Sequence, residues 1–285
     1  MGTLYIVATP IGNLSDITKR SQEVLNNVDI ILCEDTRTSS HLLNSLEIKT
    51  KLISYHKFNE KERSREVITL LKDDKNIALI TDAGTPCISD PGSILVHDAI
   101  ENGIDVYSIP GPSAVITALT LSGLNINNFA FYGFLERKNK NQREELEKIK
   151  ENDIEIVVFY ESPKRIIDTI NNIKEILNDP YIIVLNDLTK KFEKKYYGKS
   201  SLVLDNLLEN PNHELGEYVI IVKKELSKEE EENDSISIEG LLIDKMVKEK
   251  CTMKDAIKLL SLDYKNKYSK NEIYNASLNI KKLLG

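Results

Sequence analysis

The chain has 285 residues, 41% of them hydrophobic, and a formal net charge of −7. That length fits two domains plus an appendage, and that apolar fraction excludes a disordered chain. The acidic balance opposes nucleic-acid binding on average, but ten lysines against six acids from Ile236 to Gly285 leave +4 on the tail and −11 on the rest.

The first 122 residues alternate strand and helix patterns. Strands are predicted at Leu4–Ala8, Asp29–Cys33, Lys51–Tyr55, Ile77–Thr81 and Val106–Ile109. Helices fall between them, for example at Ile17–Asn27, capped by Ser15 or Asp16, and at Glu60–Leu71. A further helix is predicted at Ser113–Leu121, with Pro112 in its first turn. Five strands alternating with helices make parallel βαβ units.

A mixed α/β block follows over 123–224. Strands are expected at Phe129–Phe134, Ile154–Tyr160, Tyr181–Leu185 and Tyr218–Lys223, and helices at Gln142–Lys150 and Ile166–Leu177. Residues 225–235 carry an acid-rich run, expected to be a solvated linker. Residues 236–285 read as a small basic helical domain of helix-turn-helix type. Its helices are predicted at Gly240–Glu249, Lys254–Leu260 and Ser269–Leu283, the last with a Ser269/Glu272 capping box.

Several chemistries lack their signature. Cys33, Cys87 and Cys251 are scattered and odd in number, and no His/Cys spacing suits a metal, so no metal is expected. A reducing, cytoplasmic setting follows. No apolar run can span a bilayer, and Met1–Thr9 lacks the flanks of a signal peptide, so no membrane anchor is expected. Neither G-x-G-x-x-G nor a Walker A sequence occurs.

Three Gly/Pro-rich loops stand at predicted strand ends: ATPIGN (Ala8–Asn13), TDAGTPCISDPG (Thr81–Gly92) and IPGPSA (Ile109–Ala114). One such loop alone is usually a turn. Three at the carboxyl edge of one parallel sheet point to a ligand cleft, because ligands of open α/β sheets bind there. Glycine lets backbone amides approach a ligand.

In chain order, LYIVATPIGNLSDIT (Leu4–Thr18), CEDTR (Cys33–Arg37), TDAGTPCISDPG, IPGPSAVITALTLSGL (Ile109–Leu124), FYGFL (Phe131–Leu135), FYESPKR (Phe159–Arg165) and LTKKFE (Leu188–Glu193) closely resemble the ribosomal RNA small-subunit methyltransferase I family of the tetrapyrrole methylase superfamily. The resemblance runs from about Leu4 to Val222. It implies a two-lobed tetrapyrrole-methylase-like fold, a parallel five-stranded lobe plus a mixed-sheet lobe, binding S-adenosylmethionine in the cleft between them. It implies a homodimer that methylates the 2′-oxygen of a cytidine in the decoding region of 16S ribosomal RNA, on the small ribosomal subunit. The family's cofactor loops map onto Pro10, Asp82, Ala83, Gly84, Thr85, Ser113, Ala114, Tyr160 and Leu188, with Glu217 and Tyr218 in another cleft-lining stretch. Two departures stand out: Glu136 replaces a usual proline, and Asn186-Asp187 replace a usual Arg-Glu.

Methyl transfer to a hydroxyl needs near in-line geometry and a group to accept the hydroxyl proton. Asp35, Asp90, Glu161 and Lys190 are candidates for that base, Asp35 or Glu161 foremost. Arg37 and Lys190 are expected to hold phosphate or orient the ribose. Equally, Asp35 can cap a helix starting near Thr36, and Glu161 one after Ser162 and Pro163. Lysine serves as a base only if its pKa is depressed. Two stretches are candidate RNA contacts: Arg137, Lys138, Lys140 and Arg143, and the lysines of 190–199 interleaved with Phe192, Tyr196 and Tyr197. The tail lysines Lys265, Lys267, Lys270, Lys281 and Lys282 are a third set. Rival readings are methylation of a corrin or other tetrapyrrole precursor, a non-catalytic ribosome-assembly binding protein, and a nucleotide-dependent oxidoreductase. The last lacks the glycine fingerprint.

Overall fold

The structure, a computed structural model, describes residues 1–225, 237–264 and 268–284. The expected acidic linker, apart from Glu225, lies outside the described residues, as do Lys265, Lys267 and the side chain of Leu283. The chain divides into two compact units, Met1–Leu226 and Ser227–Gly285.

The first lobe of the larger unit runs β1 (Leu4–Val7), α1 (Lys19–Asn27), β2 (Ile30–Cys33), α2 (Thr36–Ser45), β3 (Lys51–Ser54), α3 (Glu60–Lys72), β4 (Ile77–Leu79), α4 (Ser93–Glu101), β5 (Val106–Ile109) and α5 (Ala114–Leu121). Its sheet has the order β3-β2-β4-β1-β5, with every pairing parallel. Helices cover both faces, which explains why β2 is buried at all four positions and reads as a continuous apolar run.

The second lobe runs β6 (Ala130–Phe134), α6 (Asn139–Glu151), β7 (Ile156–Glu161), α7 (Ile166–Ile176), β8 (Tyr181–Asn186), β9 (Lys194–Lys199), α8 (Ser200–Leu208) and β10 (Tyr218–Lys223). Its sheet, β6-β7-β10-β8-β9, is parallel only between β6 and β7. An apolar cluster ties the lobes: Ile11 from the loop after β1 and Val115, Ala118 and Leu119 of α5 pack with Val158, Ile183 and Ile221 of the second sheet. Each buried isoleucine, leucine or valine in it contributes about 1.5–3 kcal/mol, before the entropy of ordering it.

The smaller unit is α9 (Ile238–Lys248), α10 (Met253–Asp263) and α11 (Lys270–Leu284). It has its own core of Leu242, Ala256, Leu260, Ile273, Ala276 and Ile280. The Ser269/Glu272 box forms reciprocally: Ser269 N donates to Glu272 Oε2 at 2.7 Å, and Glu272 N to Ser269 Oγ at 3.3 Å. Among the described residues no helix is long and apolar enough to cross a membrane.

Three local expectations are corrected. Thr18, not Ser15 or Asp16, caps α1, because a 3₁₀ turn over Leu14–Asp16 intervenes. Pro112 lies outside α5, whose N-cap is Ser113. The run after Lys190 contains a strand, β9, followed directly by α8, a helix not anticipated from the sequence.

Candidate functional site: a cleft with two adjoining chambers

The three Gly/Pro loops meet at the carboxyl edge of the first sheet and are stitched together. Thr9 N donates to Gly84 O at 2.8 Å and Gly84 N to Thr9 O at 3.1 Å. Thr9 Oγ1 donates to Thr81 O at 3.0 Å, and Thr85 Oγ1 to Pro112 O at 3.0 Å. Gly84 has φ +84°, and a β-carbon there would press on Ile11.

From the other side comes the loop after β8. Asp187 (φ 52°) and Thr189 (φ 65°) are left-handed on either side of Leu188. Such backbone is costly for threonine, a β-branched residue. Gly12 lets the two loops touch: a β-carbon there would sit 2.5 Å from Lys190 Cγ and 2.9 Å from Leu188 O.

Between the lobes lies a chamber of about 410 Å³. The first lobe lines it with Ile11, Glu34, Thr81–Thr85, Ile88–Asp90 and Ala114, the second with Phe134, Tyr160–Pro163, Leu188 and Glu217–Val219. A second chamber of about 370 Å³ adjoins it, walled by Pro10, Thr38, Ser39, His41, Leu42 and Lys190 among others. Ile11, Thr81, Asp82, Ala83 and Glu217 line both.

The residues singled out from the sequence therefore divide. Asp82, Ala83, Gly84, Thr85, Ala114, Tyr160, Glu161 and Leu188 line the first chamber. Pro10 and Lys190 line the second. Ser113, Asp35 and Arg37 line neither. Sequence reasoning passed over Glu34, which neighbours Asp35 in the CEDTR motif, and over Thr38, Ser39 and His41. A one-residue step past a strand end reverses the direction a side chain takes, and that was the available signal for Glu34.

The carboxylates differ in how fully they are engaged. Asp35 caps α2 by accepting Arg37 N at 2.8 Å, and also binds the Arg37 guanidinium at 3.1 and 2.7 Å. The Arg37 side chain thereby holds its carboxyl down at about 2. A base that acidic accepts a proton poorly. Glu161 is 2% exposed. Its Oε1 accepts Ser162 N at 2.7 Å, and its Oε2 accepts Thr169 Oγ1 at 2.6 Å with the Arg165 guanidinium 3.3 Å away. Arg165 in turn donates to the carbonyls of Leu135 and Glu136. A buried polar chain continues from Thr169 to Gln142, Asn172 and Arg143. Glu161 therefore braces the cleft wall.

Lys190 is clasped at 2.7 Å by Asp187 and at 2.8 Å by Glu217. Burial pulls its pKa down, but the two carboxylates outweigh it and the ammonium is held charged. Lys190 is thus neither a base nor a free cation. Glu34, Asp82 and Asp90 behave oppositely. Desolvation by the surrounding protein raises all three, and neighbouring carboxylates add to it: Asp90 and Asp82 act on Glu34, Asp35 on Asp82, and Asp82 on Asp90. Asp82 opens to both chambers; its Oδ1 accepts Asp35 N at 3.3 Å, and its Oδ2 accepts no hydrogen bond from the described residues. Burial, with the Asp90 charge, pushes the Tyr160 phenol up to about 12.

Elsewhere, Asn186, where the resemblance leads one to expect arginine, is 5% exposed. It donates to Leu215 O at 3.2 Å, so this position faces the interior. In the Lys/aromatic run, Tyr196 packs on the second-lobe core, whereas Phe192 is 74% exposed with the Lys191 ammonium over its ring. Lys195 pairs with Glu193, and Arg143 with Glu175. Among the described residues no group of three or more His, Cys, Asp or Glu is placed to hold a metal ion.

Comparison with known proteins agrees with this architecture. The family profile of tetrapyrrole (corrin/porphyrin) methylases matches residues 3–202. The chain is 41% identical over 278 residues to the ribosomal RNA small subunit methyltransferase I of Haemophilus influenzae, covering 97% of this chain and 96% of that one. It is 39% identical over 280 residues to the protein of the same name from Bacillus subtilis, covering 97% and 94%. Among solved structures it is similar to a diphthine synthase, with TM-score 0.60, 14% identity, and 79% and 91% coverage. It is also similar to a uroporphyrin-III C-methyltransferase from Thermus thermophilus complexed with S-adenosylhomocysteine, with TM-score 0.55, 16% identity, and 77% and 97% coverage. At those identities the structural likeness shows the fold alone.

Proposed function

We propose, from the premise that this chain belongs to the ribosomal RNA small subunit methyltransferase I family within the tetrapyrrole methylases, that it transfers a methyl group from S-adenosylmethionine to the ribosomal RNA of the small subunit. The finer reading is 2′-O-methylation of a cytidine in the decoding region of 16S ribosomal RNA. The observation that carries the proposal is identity near 40% over 97% of the chain with relatives so named, on a two-lobed cleft whose donor set suits that cofactor.

The fit is chemical. S-adenosylmethionine supplies an electrophilic methyl group on a cationic sulfonium. Glu34 and Asp90 line the first chamber and not the second, and burial, with repulsion from neighbouring carboxylates, raises both, so that a cation bound beside them would favour their ionised forms. Ile11, Ile88, Ala114 and Leu188 give the same chamber apolar surface for a flat, weakly polar group. Backbone amides of the stitched loops stay close because Gly84 has no side chain.

Asp82 takes the role first expected of Asp35 or Glu161. It stands on the wall common to both chambers, and its Oδ2 is uncommitted. In this reading Asp82 Oδ2 accepts the proton of the acceptor hydroxyl as the oxygen becomes nucleophilic. Burial raises its pKa, which strengthens it as a base. Lys190, Asp187 and Glu217 fix the loop that carries Leu188. Arg37, with its side chain 87% exposed, exchanges Asp35 for a phosphate at little cost, since exposed ion pairs are weak.

The test is transfer from labelled S-adenosylmethionine to purified small ribosomal subunits lacking the modification, followed by digestion and mass spectrometry. A 2′-O-methylated cytidine is expected. Cofactor binding without transfer to subunits or free RNA overturns the proposal.

A further inference from the structure

The loop after β4 folds back on itself before α4 begins. Cys87 is left-handed at φ 68°, and Gly92, at φ +139°, packs against it. A β-carbon on Gly92 would sit 2.5 Å from Cys87 Sγ and 2.6 Å from Leu79 Cδ2, so the fold demands glycine there. Between the two, Ile88, Ser89 and Asp90 line the first chamber. The position of Gly92 therefore decides how that excursion meets a ligand.

Gly92 is also the N-cap of α4, and the local sequence leaves its amide without an acceptor. Glycine has no side chain with which to cap the helix. The third helical residue, from which a glutamate or glutamine reaches back to the N-cap amide in a capping box, is Leu95. A residue of another helix fills the gap. Gly92 N donates to Oε1 of Glu60, the first residue of α3, at 2.8 Å. The phenol of Tyr55, 1% exposed just after β3, donates to the same oxygen at 3.3 Å and shares a hydrogen bond with Ser64 Oγ at 3.0 Å. Burial raises the Tyr55 phenol, which keeps it protonated and donating. Among the described residues, Glu60 makes the only hydrogen bond to 86–92 from outside the loop and α4.

We propose that Glu60 is a positioning residue for the cofactor: by holding the Gly92 amide it sets Ile88 and Asp90 in the first chamber before the ligand arrives. The inference rests on the methyltransferase reading. Glu60 lines neither chamber, so it acts through the loop. The first half of that loop is fixed by the Thr9–Gly84 and Thr85–Pro112 bonds. Without Glu60 the second half has no comparable bond to another element. A loop already held in its binding conformation loses less entropy when the ligand enters.

Calorimetry of the full chain with S-adenosylhomocysteine tests this. Glu60→Ala is expected to weaken that affinity on the order of tenfold, and to raise KM for S-adenosylmethionine similarly with kcat changed less than about threefold. Glu60→Gln is expected to stay within about threefold of wild-type affinity, because both donors converge on Oε1 and a glutamine carbonyl can stand there. A merely structural residue would lower the melting midpoint and leave the affinity of the folded protein alone. In hydrogen exchange, the Gly92 amide is expected to be protected in the free wild-type protein and to exchange about tenfold or more faster in Glu60→Ala. Wild-type affinity in Glu60→Ala overturns the proposal, as does a Glu60→Gln protein that binds as weakly as Glu60→Ala. If Glu60→Ala does not fold, the wild-type exchange decides. A Gly92 amide protected only once S-adenosylhomocysteine is bound would mean that the ligand, not Glu60, orders the loop. Wild-type protein that binds no S-adenosylhomocysteine defeats the methyltransferase reading itself, and is recognised because no variant is involved.

Discussion

In the first lobe Glu34, Asp82 and Asp90 gather at the sheet edge with few partners and raised pKa values. In the second, Glu161 faces the same chamber yet is saturated by Ser162, Thr169 and Arg165, with a buried amide chain behind it. Residue type and nearness to the cleft are alike in the two regions; the number of partners differs. An unsatisfied carboxylate is available to a ligand or a proton, whereas a satisfied one holds the wall rigid. The satisfied side also sets geometry, since Arg165 joins Glu161 to the chain just after Phe134.

The contrast is broken most strongly at Asp82. Asp82→Asn is expected to lower kcat by about 10²–10⁴-fold, with S-adenosylhomocysteine affinity changed only a few-fold and the melting midpoint unchanged. Calorimetry beside single-turnover kinetics checks this, and a loss confined to cofactor affinity would place Asp82 in the cofactor site alone.

Glu161→Ala attacks the other side. It strands Arg165 and Thr169, and is expected to cost about 3 kcal/mol of stability in denaturant unfolding. Glu161→Gln keeps the shape and recovers most of that loss. A fully stable Glu161→Ala protein with no turnover would return Glu161 to the role of base.

The smallest effect sharpens the comparison without mutation. A bound cation favours ionised Glu34 and Asp90, whose pKa values are raised in the free protein. Binding therefore releases protons, and affinity for S-adenosylmethionine should climb as pH rises from the ordinary carboxylate range, about 4, through their raised values. The slope is at most about tenfold per pH unit for each proton released. S-adenosylhomocysteine, lacking the sulfonium charge, should show a shallower slope. Equal slopes would remove these carboxylates from cation recognition.

Much of the cleft was legible in advance. The loops after β1, β4 and β5 announced themselves through glycine and proline, and Asp82, Gly84, Tyr160 and Leu188 do line the first chamber. The alternation of apolar runs placed the five parallel strands of the first lobe. Less legible was the choice between the adjacent acids Glu34 and Asp35, of which one lines the cleft and the other caps α2.

Periodicity, caps and turn residues act over a few positions, so the sequence by itself determined the βα alternation, the Ser269/Glu272 box and the glycine loops. Partnership is non-local, and only the tertiary structure decided it. The second sheet sets β10 between β7 and β8, although β10 comes last in the sequence of that lobe. Lys190 finds one carboxylate three residues away and another twenty-seven away, and their combined field keeps it charged. Whether an acid or a lysine reacts or braces is thus settled by groups that chain folding brings together, at distances no local pattern encodes.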